Sequence, residues 1–167
     1  MHGGPDKAVH HYPADHYPFW RSELAGHPLL VAPGAFGENI STLGLVEADI
    51  CIGDRFRLGS ALVEVSQGRQ PCWKLDHRFG NAAMTAQVVA TRRSGWYYRV
   101  IEPGLVQVGD ALLLVGRGQG AWSVERVFGL LIGGDGKRER GALRALHGHS
   151  VLSEAWRRRA EQLLGEG

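Results

Sequence analysis

One thiol in this chain stands where chemistry is usually placed. Cys72 lies in the run Gly68-Arg69-Gln70-Pro71-Cys72-Trp73-Lys74-Leu75, just past a β-patterned segment at residues 61–66. Pro71 has no N–H to give a sheet ladder, so the strand is predicted to stop before Cys72 and leave the thiol on a loop. Arg69 and Lys74 flank it, and nearby cations favour the thiolate, the form that attacks an electrophile or ligates a metal. A free cysteine is also a small hydrophobe, so the same residues admit a structural thiol. For Cys51, between Ile50 and Ile52, a buried strand position is the simpler account.

A second stretch, Phe36-Gly37-Glu38-Asn39-Ile40-Ser41-Thr42-Leu43-Gly44, offers mixed polar chemistry. Asn39 carries donors and an acceptor, Glu38 only acceptors. A heterocycle with an amide-like edge, such as a pterin, demands that mixture; an Asx-type turn between glycines is the plain alternative. At the opening, His2, His10, His11 and His16 crowd around Lys7. Lys7 could meet a phosphate as a point charge; otherwise the set reads as a solvated polar loop. His11 and His16 are five apart and the ligands of a tetrahedral zinc site do not cluster at short spacing. Arg157-Arg158-Arg159 reads as a solvated helix face near a C-terminus, where the dipole favours cations.

These residues need elements to position them. Residues 14–25 are predicted to form a helix between Pro13 and Gly26, with Tyr17, Trp20 and Leu24 on one face. Residues 49–116 are mostly β-patterned. The segment 50–59 leads through a Gly-Ser turn into 61–66, and 96–101 leads through Glu102-Pro103-Gly104 into 105–115. Ile50-Cys51-Ile52-Gly53-Asp54 is echoed by Val106-Gln107-Val108-Gly109-Asp110, each ahead of an apolar strand, which suits a bulge or tight turn. Residues 81–93 lean to a helix closed by Ser94-Gly95. After Trp122 the period becomes helical: a helix capped by Ser123 and ended by Gly133-Gly134, a second around residues 140–146, and a third capped by Ser153. The fold class is α+β, mainly β at residues 1–121 with three short helices at 122–167.

Composition sets outer bounds. The 167 residues suffice for one domain with a small appendage, the formal charge of +2 gives no argument for nucleic acid, and two cysteines without a CxxC pair favour a reducing, cytoplasmic setting over a disulfide framework. No apolar run approaches the ~20 residues of a membrane span, and the amino terminus lacks a signal-peptide pattern.

Taken together, several runs resemble the MOSC family, named for the carboxy-terminal domain of molybdenum cofactor sulfurases. They are His2-Gly3-Gly4-Pro5-Asp6-Lys7-Ala8-Val9-His10-His11-Tyr12, Phe36-Gly37-Glu38-Asn39-Ile40-Ser41, Cys51-Ile52-Gly53-Asp54, Arg69-Gln70-Pro71-Cys72-Trp73-Lys74-Leu75, His77-Arg78-Phe79-Gly80 and Ser94-Gly95-Trp96-Tyr97-Tyr98-Arg99-Val100. More narrowly, the chain resembles stand-alone bacterial members with a carboxy-terminal three-helix domain.

The resemblance implies a β-barrel that holds a molybdenum–pterin cofactor (molybdopterin), with Cys72 as the catalytic residue and protein ligand to molybdenum. It places Asn39, Arg69, Glu38, Lys7, Lys74 and His77 around that cofactor, and the family's associations extend to pyridoxal phosphate. The implied activity is reduction of N-hydroxylated compounds such as hydroxylamino base analogues, a detoxification, with electrons from a separate reductase and a possible homodimer. A molybdenum-cofactor carrier or sulfur-transfer protein is the alternative. Members usually carry strands ahead of the His-Gly-Gly-Pro-Asp run; here Met1 precedes it directly, so the resemblance implies a shortened start and an incomplete, association-prone barrel.

Overall fold

The computed structural model describes residues 3–166; Met1, His2 and Gly167 lie outside the described residues, and with them the histidine that opens the His-Gly-Gly-Pro-Asp run. Five strands, β1 (Val9–His11), β2 (Arg55–Leu58), β3 (Ala61–Gly68), β4 (Trp96–Glu102) and β5 (Leu112–Gly116), form one antiparallel sheet in the order β1-β4-β3-β2-β5. Helices α1 (Tyr17–Glu23), α2 (Trp73–Phe79) and α3 (Met84–Thr91) interrupt the strands, and α4 (Val124–Leu131), α5 (Arg140–His147) and α6 (Glu154–Gly165) come after them. No described helix is long and apolar enough to cross a membrane.

The hairpin β2–β3 turns at Gly59-Ser60, as its Gly-Ser signal predicts, and every residue of β3 is buried, as befits the central strand. The internal echo is structural. Asp54 accepts the Cys51 amide at 2.9 Å, and Asp110 accepts the Gln107 amide at 2.9 Å, with Gly53 and Gly109 at positive φ in both turns. One motif thus delivers β2 and the other β5. Serine caps start α4 and α6: Ser123 and Ser153 each accept an amide three residues on.

The expected barrel is replaced by an open sheet. β5 pairs only with β2, and β1 pairs only with β4. The outer edge of β1 is taken by a loop rather than a strand: the Asn39 and Ile40 amides donate to the His10 carbonyl at 2.8 and 3.1 Å, and Tyr12 N–H donates to Ile40 at 3.0 Å. A strand whose edge is already occupied has no ladder left with which to close a cylinder.

Two apolar clusters flank the sheet. The larger joins Ile52, Phe56, Val65, Trp96 and Tyr98 to Phe128, Leu143, Trp156 and Ala160, so the same core serves strands and carboxy-terminal helices. The smaller joins Tyr12, Tyr17, Trp20 and Phe36 to Leu75, Phe79, Met84 and Val88, and thereby binds α2 and α3 to the amino-terminal segment. Gly68 ends β3 directly beneath Trp156: a Cβ there would lie 2.7 Å from the indole Cη2. Gly68→Ala is therefore expected to cost about 1–3 kcal/mol by overpacking, read as a lower urea midpoint. The same substitution in a Trp156→Leu background should cost clearly less; equal costs in both backgrounds would refute the contact.

Candidate functional site

The thiol of Cys72 is half-buried and free, on the turn that carries the chain from β3 into α2. The strand stops at Gly68, ahead of Pro71, as expected. The conformation at the thiol itself differs from expectation. Cys72 is not mid-loop but the N-cap residue of α2, in extended conformation, with its carbonyl accepting the Leu75 amide at 2.8 Å and the Thr85 hydroxyl at 3.2 Å. Leu75 and Phe79, four apart, bury one face of this helix in the smaller cluster. Lys74 and His77 consequently sit on its exposed face, next to the exposed indole of Trp73.

Arg69 begins the same turn. Its amide donates to Gly95 at 3.0 Å, which docks the turn on the start of β4. Its guanidinium has no carboxylate partner among the described residues. Gly95 makes this approach possible. It sits at φ +67°, and a Cβ would lie 2.4 Å from the His11 carbonyl and 3.1 Å from His10 Nε2.

The Gly34–Asn39 loop closes over this arrangement. Glu38 is a pin for the loop: its carboxylate accepts the Gly34 amide at 2.6 Å, the Phe36 amide at 3.0 Å and the Tyr17 hydroxyl. Asn39 uses its side-chain oxygen to accept the His10 amide at 2.9 Å, while its side-chain NH₂ has no partner among the described residues. Arg78 of α2 donates to the Ala35 and Gly34 carbonyls at 2.7 and 3.0 Å, tying the thiol's helix to that loop. Asn39 thus contacts His10 directly, Glu38 braces the loop that carries Asn39, Arg69 is anchored on Gly95 beside His10, and Cys72 is joined to the loop through α2. Lys7 lies half-buried in the short turn before β1.

Of the opening histidines, the three within the described residues are not on a solvated loop. His10, His11 and His16 are all buried. His11 shares hydrogen bonds of 3.0 Å with the Tyr98 hydroxyl and the Thr42 hydroxyl, and His16 contacts Glu47 at 2.6 Å, whose other oxygen accepts the Gly95 amide at 2.6 Å. His10 Nε2 is buried without a partner among the described residues. The run Val9-His10-His11-Tyr12 alternates faces as a short strand does. Trp73, exposed beside Lys74, and Arg78, which ties α2 to the Gly34–Asn39 loop, are given no role by the sequence reading.

Burial, reinforced by Arg69, pushes His10 down to about 4, and burial with a smaller contribution from His10 pushes His11 down to about 3. Both are neutral in the folded chain over a range where the unfolded chain, titrating near 6.5, takes up protons. Their contribution to stability is therefore complete above pH 6.5 and lost as pH falls to about 4 for His10 and about 3 for His11. At about 1.4 kcal/mol per pKa unit, the two together amount to several kcal/mol. The urea midpoint is expected to fall steeply between pH 6.5 and 4, with a shallower slope for His11→Gln; a flat profile across that window would contradict the assignment.

By contrast, the thiol of Cys51 is buried and its pKa is raised, by burial and then by Asp54. Among the described residues no group of three or more His, Cys, Asp or Glu side chains is placed to hold a metal ion.

Residues 1–113 match the MOSC domain. The chain is 47% identical over 156 residues to YflK of Bacillus subtilis, covering 93% of this chain and 68% of that protein. It is 42% identical over 127 residues to a protein of Gibberella moniliformis named as a reductase, covering 75% of this chain and 23% of that one, so the match spans under a quarter of the fungal protein. The crystal structure of YiiM from Geobacillus stearothermophilus superposes with a TM-score of 0.90 at 38% identity, covering 97% of this chain and 80% of that one. The family likeness and the shared fold agree: this chain belongs to the MOSC domain family.

Proposed function

We propose that the protein is a molybdenum-cofactor-dependent reductase of N-hydroxylated compounds, with Cys72 as the protein ligand to the metal. The observation that carries this reading is the turn from Arg69 to Cys72, which presents a free thiol and an unpaired guanidinium within three residues of one another. With no clustered protein ligands among the described residues, a metal here would have to bring most of its ligands with it, as a dithiolene-bearing pterin does. A soft thiolate suits such a metal.

The residues around His10 fit the organic part of that group. The uncommitted NH₂ of Asn39 and the unpartnered His10 Nε2 offer polar contacts for a heterocycle, and Arg69 is a cation suited to a phosphate, with Lys7 of the turn before β1 assigned as a second by this proposal. Lys74, His77 and Trp73, exposed on α2, would border the entrance. Glu38 acts one step back, holding the loop that carries Asn39. When bound, the cofactor supplies the two-electron chemistry. Reduction of a hydroxylamino base breaks its N–O bond, takes up two electrons and two protons, and releases the amine and water. The electrons would enter from a separate reductase. The kinship with a fungal protein named as a reductase supports the reaction class.

Protein produced in a molybdenum-replete host should carry about one molybdenum per chain by elemental analysis and reduce a hydroxylamino purine with a reduced viologen dye as donor. Cys72→Ser should lose both properties by about ten-fold or more, and Cys51→Ser should keep them. Molybdenum without turnover would favour the carrier reading, and wild-type protein without molybdenum would overturn the proposal.

A further inference from the structure

A cavity of about 310 Å³ opens where β2 and β5 meet the glycine-rich loop 116–121 and the link between α5 and α6. Its lining includes Arg55, Glu64, Arg117, Gln119, His149 and Val151, and none of the residues grouped around His10. What distinguishes it is the state of its polar groups.

The acceptors beneath it are already engaged. Asp54, fully buried, accepts the Gly118 amide at 2.7 Å, the Cys51 amide at 2.9 Å and Arg117 at 3.1 Å. Glu64 accepts Arg55 Nε at 2.6 Å through one oxygen and Arg99 at 3.2 Å through the other. The donors are not exhausted. Arg55 makes its contact through Nε alone and leaves both terminal nitrogens unused. Arg117 bonds through one terminal nitrogen, to Asp54 and to the Asp49 carbonyl, leaving its other edge unused. Both side chains are more than half exposed.

His149 is the second, independent sign. It is 6% exposed, and neither ring nitrogen has a partner among the described residues. A neutral imidazole always carries one N–H, and a buried donor without an acceptor calls for a ligand or bound water. An imidazole N–H, two guanidinium edges and the Gln119 amide therefore surround one space whose carboxylates are already engaged. The complement is a ligand rich in acceptors. Glu64 and Asp54 each already hold an arginine, and it is the guanidinium edges left free on Arg55 and Arg117 that make an anion the complement. The planar forks of arginine suit phosphate oxygens in particular.

We propose that this cavity is a binding site for a phosphate group, formed by Arg55, Arg117 and His149. The volume lies at the lower end of small-molecule sites, which run from about 300 to 1,000 Å³, and so accommodates a phosphate with a modest organic substituent. The site does not depend on the cofactor reading of Cys72.

The test is a titration of the isotope-labelled full chain with inorganic phosphate at pH 7, monitored by amide and imidazole NMR signals. Saturable shifts are expected in the Arg117–Gly120 amides and the His149 ring. Arg117→Gln, an exposed change that leaves Asp54 its two amide donors, should weaken that response about ten-fold, equivalent to about 1.4 kcal/mol. A parallel titration with a nucleoside monophosphate separates the two sources of the group: tighter binding than inorganic phosphate assigns the site to a phosphorylated metabolite, and equal binding assigns it to the free ion. Absence of shifts in these residues up to about 20 mM, far above a Kd of about 1 mM, overturns the proposal, as does an undiminished response in Arg117→Gln.

Discussion

The arrangement around the candidate site depends on the three residues of β1. Their backbone is held from both sides. β4 pairs with it residue by residue, from Val9 with Tyr98 to His11 with Trp96, and the loop at Asn39 and Ile40 takes the opposite edge. The same short strand hands its side chains alternately to the two faces, so that His11 packs on Trp96 with ring centroids 4.3 Å apart while His10 packs on Tyr97 at 5.1 Å. Tyr12 continues the pattern: it stacks on Phe36 at 4.0 Å, accepts the Trp20 indole N–H at 2.6 Å and donates to the Arg93 carbonyl at 3.1 Å. One polar strand thereby fixes the loop that carries Asn39, the start of β4 that receives Arg69, and the aromatic cluster beneath α2. Burying three histidines in so small a region is tolerable because two of them have partners.

A charged ladder runs across the neighbouring strands. Arg99 on β4 and Arg55 on β2 both contact Glu64 on the central β3, and Arg99 Nε also lies 2.9 Å from Asp6 in the turn that carries Lys7. Glu64 is buried, so its charge is supportable only with cations on both sides. Arg99 further donates to the Val151 carbonyl at 2.9 Å, and Ser153 N–H donates to Ser66 at 3.1 Å. The amino-terminal turn, the sheet and the approach to α6 are therefore connected by polar contacts as well as by the shared core.

Much of this was legible in the sequence because the signals were local. The Gly59-Ser60 turn, the repeated Gly-Asp motif and the serine caps at Ser123 and Ser153 act through a few adjacent residues, and each formed as its chemistry predicts. The failures were non-local. Val9-His10-His11-Tyr12 is too short and too polar to announce a strand, and its burial depends on partners about 30 or more residues away, at Ile40 and Trp96. The helix after Cys72 has only Leu75 and Phe79 as an apolar face, and the flanking charges masked it. The family likeness led to a barrel left incomplete for want of its first strands, whereas the chain forms an open sheet whose β1 edge is held by the Asn39–Ile40 loop. Within the site, residue types identified Cys72 and Arg69 as reactive or charged groups, but the inward-turned role of Glu38 required the positions of the Gly34 and Phe36 amides.

The bare backbone at Gly68 has a mechanical consequence. Trp156 rests on it, and Arg69 is the next residue. Because no side chain cushions that contact, α6 cannot slide or tilt across the sheet without displacing the indole from the root of the turn that ends at Cys72. The last helix of the chain is in this sense a stop against which the thiol-bearing turn is set, and the freedom of that turn is governed by a residue more than eighty positions away in sequence.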